Sequence, residues 1–195
     1  MNIVLGDNTA PTPQQFTRLT RILHWLSAVL VFTMLLVGFV MVNSLGDYAT
    51  LVRFHKTLGV LVLAIVVVRI ANRLTHRAPT LPATVGRLER LAVAVSEVAL
   101  YALLLAQPLV GWAMVSTSGT PVILFGSFQL PAIAPVDAGL YSALRTTHSL
   151  LAYALVVIIA AHVCAVLLHS VTLRDGMLRR MTFRHGKSPA TAPKS

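Results

Sequence analysis

Four long apolar stretches limit what this chain can fold into. Only 11% of its 195 residues are charged and its mean hydropathy is +0.77, which is too apolar for an ordinary water-soluble domain. About 20 apolar residues cross the hydrocarbon core of a membrane. The candidate spans of that length are Ile22–Val42, His55–Leu74, Leu91–Val115 and Thr147–Val171. The sequence therefore predicts an all-α fold, a transmembrane four-helix bundle.

The apolar stretches define one membrane domain, which we place at residues 17–182. Segment 1–16 is expected to precede it in the cytoplasm, and the polar tail 183–195 is expected to be disordered. The first stretch is longer than the apolar core of an ordinary signal peptide, so we interpret it as a retained helix. In the longest connection, the apolar piece Val122–Phe128 is expected to lie at the membrane interface as a short helix or turn.

Lysine and arginine are distributed unequally between the two sides of the predicted bundle. The side with both termini and the second connection holds 13 of them, and the other side holds three: Arg53, Lys56 and Arg145. Because positively charged segments stay in the cytoplasm, both termini are predicted to be cytoplasmic. Clustering of the cations at the span ends also argues against a nucleic-acid partner.

Four histidines lie on the predicted spans, where an imidazole is costly unless it has a use. His24 begins the first helix near the cytoplasmic face, whereas His55 and His148 begin inward-running helices near the outer face. His162 follows His148 by fourteen residues, a helical rise of about 21 Å and nearly four full turns, so it lies near the inner face on a similar side of the helix. The depth-matched pairs are His24 with His162 and His55 with His148. Each pair could clamp the iron of one haem, which places two haems between the helices.

The same interval of fourteen residues leads from His24 to Gly38 and from His55 to Arg69. A glycine facing the outer haem would leave room for the macrocycle, and Gly59, one turn after His55, would do the same. Arg69 would lie at the depth of the inner haem, where it could pair with a propionate.

Other interpretations of the histidines stay open. His24, His55 and His148 lie near span ends, where a polar tip can reach water, so each taken alone fits a structural or interfacial role; His162 has apolar neighbours on both sides. Metal transport is a further alternative, although a transport site is expected nearer the midplane. The single cysteine, Cys164, excludes a Cys-x-x-Cys-His motif, so any haem is held without covalent attachment.

Several stretches resemble the bacterial cytochrome b561 family of small four-helix membrane cytochromes. They are Arg18-Leu-Thr-Arg-Ile-Leu-His24-Trp25, Phe54-His55-Lys-Thr-Leu-Gly59, Val68-Arg69-Ile-Ala-Asn-Arg73, Pro108-Leu-Val-Gly-Trp112, Thr147-His148, Ala161-His162 and Arg174-Asp175-Gly176. The resemblance implies two b-type haems on His24, His55, His148 and His162, electron exchange with the quinone pool and a place in the bacterial inner membrane. The branch that this chain resembles in length and layout is a superoxide oxidase with ubiquinone as electron acceptor.

One position departs from the family pattern. Members often carry a histidine four residues before Tyr101, where this chain has Glu97. A carboxylate inside a span is expensive unless it is used or paired. Either Glu97 handles protons near a quinone, or it is hydrogen-bonded or snorkelling beside Arg90 or Arg18.

Two further residues are candidates for substrate chemistry. Arg145 lies one helical turn before His148 and is predicted to steer superoxide toward the outer haem; contact with lipid headgroups is the alternative. His169 lies about 10 Å deeper than His162 and is predicted to hydrogen-bond a quinone carbonyl and donate a proton on reduction. An interfacial histidine is the alternative there.

Three functions fit the sequence. The first is a superoxide:ubiquinone oxidoreductase, the second a cytochrome b subunit that relays quinol electrons to a separate redox partner, and the third a non-catalytic haem-binding membrane protein. Besides membrane lipids, the expected partners are a quinone and either superoxide or another periplasmic electron donor. A homodimer or a redox partner subunit is also compatible with the sequence.

Overall fold

Four α-helices form the body of the protein. The computed structural model describes residues 16–44, 46–76, 86–124, 128–173 and 181. Its helices are α1 Arg18–Asn43, α2 Tyr48–Thr75, α3 Arg87–Thr117 and α4 Ala138–Leu167, and α4 continues as a π-helical turn over Leu168–Leu173. All four are long and apolar enough to cross a membrane, which confirms the predicted spans. The predicted tail 183–195 and all but the last residue of segment 1–16 lie outside the described residues.

α4 begins earlier than the sequence predicted, at Ala138 rather than Thr147. Asp137 precedes it as a cap, and its Oδ1 accepts a hydrogen bond from the backbone N–H of Leu140 at 2.6 Å. Such a cap satisfies an N–H group that has no partner inside the helix. The helix therefore extends beyond its apolar span at this end and carries Arg145 on the extension.

The connection between α3 and α4 contains a small β-hairpin. The sequence predicted an all-α fold, with a short helix or turn at Val122–Phe128, and did not predict these strands. Strand β1 is Val122–Leu124 and strand β2 is Phe128–Leu130, paired antiparallel with Val122 opposite Leu130. β-branched and aromatic residues favour extended backbone. The hairpin is held to the end of α3 because the indole N–H of Trp112 donates to the Pro131 carbonyl at 3.0 Å.

The outside of the bundle is apolar. Phe39 and Val98 are each 68% exposed and Tyr153 is 72% exposed, whereas a helix that faces water carries polar residues on that side. These surfaces face lipid, and the chain is a multi-pass membrane protein.

The helices pack in two pairs. α1 lies against α2 and α3 against α4, and contact between α2 and α3 joins the pairs. Among the described residues, α4 makes no comparably extensive contact with α1 or α2. Space is therefore left between α4 and the first pair of helices.

Where the helices do meet, the core is aliphatic. Its buried members are Val31, Val62, Val66, Leu104 and Leu155. Val31, Val62 and Leu155 each follow a histidine of their own helix by seven residues. Seven residues are about two helical turns, or 10.5 Å, so this layer lies midway between the two levels of histidines.

Replacing Leu155 by alanine is expected to destabilise the bundle. Leu155 is 3% exposed at the centre of the core, and a buried leucine truncated to alanine costs about 2–5 kcal/mol because a cavity remains. Thermal unfolding in detergent measures the loss. Leu150, on the same helix but 63% exposed, is the matched control, and Leu150→Ala should leave the midpoint close to that of the parent protein.

Candidate functional site

His55 of α2 and His148 of α4 face each other across the space between the helix pairs. Their ring centroids are 6.2 Å apart and the rings are inclined at 77°. The Nδ1 atoms of both rings are buried, and neither has a hydrogen-bond partner among the described residues. Buried polar atoms usually have partners, so this pair is poised to engage a further group. His55 and His148 are therefore close together in the structure, as their matched depths predicted.

Two glycines border this histidine pair. A Cβ added to Gly38 of α1 would lie 3.4 Å from Cε1 of His55, and one added to Gly111 of α3 would lie 3.1 Å from Cε1 of His148. Gly38 was predicted from its spacing, whereas Gly111 was missed. Gly111 lies in the stretch Pro108-Leu-Val-Gly-Trp112. Its depth on α3 relative to His148 was the signal that could have identified it. Gly59 instead faces Met34, whose Cε would be 3.6 Å from its added Cβ, so it belongs to the packing of α1 on α2.

Gln107 of α3 is a second residue that the sequence analysis missed. Its Nε2 donates to the backbone carbonyl of His148 at 3.1 Å and lies 3.3 Å from Nε2 of the same ring. Its Oε1 is buried without a hydrogen-bond partner among the described residues. A neutral carboxamide therefore borders the ring of His148.

The other two histidines lie at the opposite end of the bundle with Arg69. One guanidinium nitrogen of Arg69 donates to Nδ1 of His24 at 2.8 Å, and another donates to Oγ of Ser27 at 2.6 Å. His24 interacts electrostatically with His162, and Arg69 interacts electrostatically with both histidines. The structure thus brings together the three residues that spacing assigned to this level.

A second set of polar contacts joins α2 to α3 next to Arg69. The guanidinium of Arg73 binds Glu97 through both carboxylate oxygens, at 2.6 and 3.3 Å, and the Arg69 guanidinium lies 5.3 Å from the centroid of the Tyr101 ring. Glu97 is therefore paired, as one of the two interpretations held. Its partner is Arg73 rather than Arg90 or Arg18, because Arg73 lies directly opposite on the neighbouring helix.

The candidate substrate residues lie beyond the two histidine levels. Arg145 is exposed on α4, one turn before His148. His169, in the π-helical turn, is mostly buried, with 12% of its side chain exposed, and its Nε2 lies 2.8 Å from Oε1 of Glu89. Glu89 also accepts the backbone N–H of Gly86 at 3.3 Å, so it joins the start of α3 to the end of α4.

These groups fit the axial ligation of a haem. With metal–nitrogen bonds of about 2 Å, an ion held between two imidazoles would separate the ring centroids by about 6 Å, close to the 6.2 Å observed for His55 and His148. A porphyrin supplies the remaining ligands of its iron and needs a flat space beside them. The glycines at 38 and 111 and the distance between α4 and the first pair of helices provide that space.

The sequence profile of the family described as prokaryotic cytochrome b561 matches residues 15–184, which include all four helices. The chain is 31% identical over 174 residues to cytochrome b561 homolog 2 of Escherichia coli (strain K12), with 87% of this chain and 92% of that protein covered. It is 32% identical over 130 residues to "Probable superoxide oxidase CybB" of Yersinia pestis, with 65% of this chain and 72% of that protein covered.

The pair of Arg73 and Glu97 is expected to couple α2 to α3. In a double-mutant cycle with Arg73→Gln and Glu97→Gln, each single variant leaves one charge without its partner inside the membrane, so the double variant should lose less stability than the two single losses added. The coupling expected of a polar pair in a membrane protein is about 0.6–1.7 kcal/mol, measured by unfolding in detergent. Strictly additive losses would show that the contact does not stabilise the bundle.

Proposed function

Because this chain belongs to the prokaryotic cytochrome b561 family of membrane electron-transfer proteins, we propose that it binds two b-type haems and oxidises superoxide at the periplasmic face while reducing ubiquinone. The observation that carries the proposal is the facing pair of His55 and His148 at 6.2 Å, with both Nδ1 atoms unpartnered among the described residues. His24 and His162 form the second ligand pair at the other level.

The two proposed pairs of histidine ligands determine which reactions a bound haem could support. When bound, a haem with two histidine ligands supplies one-electron transfer and has no open position on its iron. The protein's part is to hold each macrocycle at a fixed level and to keep water away from it. Gly38 and Gly111 leave room at the His55–His148 level, and the aliphatic layer around Leu155 separates the two levels.

Electrons and protons balance as follows. Two superoxide ions lose one electron each and leave as dioxygen. One ubiquinone takes up both electrons and two protons and becomes ubiquinol. With both termini in the cytoplasm, as the distribution of Lys and Arg favours, superoxide is consumed at the His55–His148 level and protons enter from the cytoplasmic side.

Three cations border the periplasmic level. Arg53 and Arg145 are exposed and Lys56 is half-buried. On α2, Arg53 lies two residues before His55 and Lys56 one residue after it, and on α4 Arg145 lies three residues before His148. Positive charge around a site raises the encounter rate of an anion. Arg145, one turn from a haem ligand, is the residue we assign to steering superoxide.

On the cytoplasmic side, His169 and Glu89 are assigned to the protonation of the quinone. Their contact at 2.8 Å joins the imidazole of His169 to a carboxylate that holds the ring in place. A histidine supported in this way can donate a proton to a quinone oxygen as it is reduced.

A second candidate is a cytochrome b subunit that relays quinol electrons to a redox partner. It is favoured by the relative with the longer match, which is named only as a cytochrome b561 homolog. The two functions differ in the donor that reduces the purified protein.

Mixing the purified protein with superoxide in a stopped-flow spectrometer tests the proposal. We expect rapid reduction of the haem absorption bands by superoxide and reoxidation by added ubiquinone. Reduction by ubiquinol alone, together with a co-purifying redox protein, would favour the relay subunit. A haem-to-protein ratio near one instead of two would contradict the assignment of two ligand pairs.

Arg145→Ala is expected to slow the bimolecular step with superoxide. Loss of one steering charge should reduce the rate several-fold at low ionic strength, and the rate of the variant should fall less steeply as salt is added, because electrostatic steering is screened. Arg87, exposed at the other end of the bundle, provides the control, and Arg87→Ala should keep the parent rate. Equal rates for Arg145→Ala and the parent at every salt concentration would exclude the steering role.

Alanine at each of three glycines is expected to have graded effects on haem content. The added Cβ lies 3.1 Å from a ligand ring at Gly111, 3.4 Å at Gly38 and 3.6 Å from a flexible methionine end at Gly59. A histidine displaced by even a few tenths of an ångström is a poorer ligand, so Gly111→Ala should lose most haem, Gly38→Ala less and Gly59→Ala none. Haem extracted per mole of purified protein gives the order directly, and equal retention in all three variants would remove Gly111 from the site.

A further inference from the structure

The two histidine pairs differ in the charge of the group that touches them. At the cytoplasmic level, the guanidinium of Arg69 contacts the ring of His24 at 2.8 Å. At the periplasmic level, the neutral carboxamide of Gln107 lies 3.3 Å from the ring of His148. One ligand pair therefore has a full positive charge in contact with it, and the other has a dipole.

The charge of Arg69 is not offset by its contacts. Its hydrogen bonds go to Ser27 and His24, and the aromatic ring near it is that of Tyr101. The two carboxylates at this end of the described chain are engaged elsewhere, Glu97 by Arg73 and Glu89 by His169. Among the described residues, therefore, no carboxylate offsets the charge of Arg69 at the His24–His162 level.

The cations at the periplasmic level act more weakly on its ligands. Arg53 and Arg145 are exposed and Lys56 is half-buried at the end of the bundle, where water and salt screen their charges. Arg69 is partly buried between helices, and a charge in such surroundings acts with a much lower effective dielectric constant.

A positive charge close to a haem favours the form that carries one more electron. Electrostatic surroundings are one of the means by which a protein sets a haem potential. We propose that Arg69 makes the haem at the His24–His162 level the centre of higher potential and so directs electrons from the periplasmic to the cytoplasmic side. The proposal rests on the two bis-histidine sites assigned above.

The direction is the one that the proposed reaction needs. With a haem bound at each level, an electron delivered at the His55–His148 level would move toward the level with the higher potential, where it would be available to a quinone. The effect depends on the charge of Arg69 and not on its hydrogen bond to His24, because a neutral neighbour such as Ser27 leaves that charge in place.

Redox titration of the purified protein with both haems bound tests the proposal. The parent should show two midpoints. In Arg69→Gln only the higher midpoint potential should fall. The fall should correspond to at least a tenfold change in the distribution of an electron between the haems, which is 59 mV for a one-electron couple. Arg69→Lys keeps the charge and should keep most of the separation, which a purely structural role of the arginine fork would not predict.

A second variant assigns the midpoints to the two levels. Gln107 contacts only His148 among the haem ligands, so Gln107→Leu should change the low-spin EPR signal of the haem with the lower midpoint and leave the other signal unaltered. This measurement decides the assignment even if Arg69→Gln does not retain its cytoplasmic haem.

The outcomes separate this inference from the proposed function. Two haems with one common midpoint, an Arg69→Gln variant in which the lower midpoint moves, or an EPR change at the higher-potential haem in Gln107→Leu would each overturn it. The haem-to-protein ratio and the reaction with superoxide are measured independently, and their failure would instead overturn the two-haem oxidase.

Discussion

The cost of a polar side chain in hydrocarbon is the constraint on which the structure depends. Each helix carries polar groups into the membrane, and the described contacts show them meeting one another: His55 faces His148, and Arg69 meets His24. Unpaired, each such group would cost more than most single contacts contribute. The positions of these groups therefore fix how the helices are rotated against each other.

Helix geometry then places the polar groups in two levels with an aliphatic layer between them. On α3, Glu97, Leu104 and Gly111 follow one another at intervals of seven residues. They lie at the level of His24 and His162, in the core and beside His148 respectively. The same interval separates histidine from core residue on the other three helices. Because two helical turns are nearly seven residues, one repeat sets both the separation of the two histidine pairs and the thickness of the aliphatic layer between them.

The spans and the histidine pairing were predictable because they depend on quantities local to each helix. Apolar length gives a span, and rise per residue gives the depth of a histidine such as His162. Gln107, Gly111 and Arg73 were missed because their roles depend on which faces of neighbouring helices meet. The hairpin after α3 was missed for a different reason, since a short apolar run between prolines is compatible with a helix, a turn or a strand.

The register of α3 against α2 decides which arginine keeps its charge uncompensated. Arg69 and Arg73 are one turn apart on α2, and Tyr101 and Glu97 are one turn apart on α3. The helices are antiparallel, so Tyr101 lies beside Arg69 and Glu97 binds Arg73. Were the carboxylate one turn further along α3, it would neutralise the arginine that touches His24, and the charge difference between the two histidine pairs would largely disappear. A glutamate at position 97 therefore joins α2 to α3 through Arg73 without cancelling the charge of Arg69 beside His24.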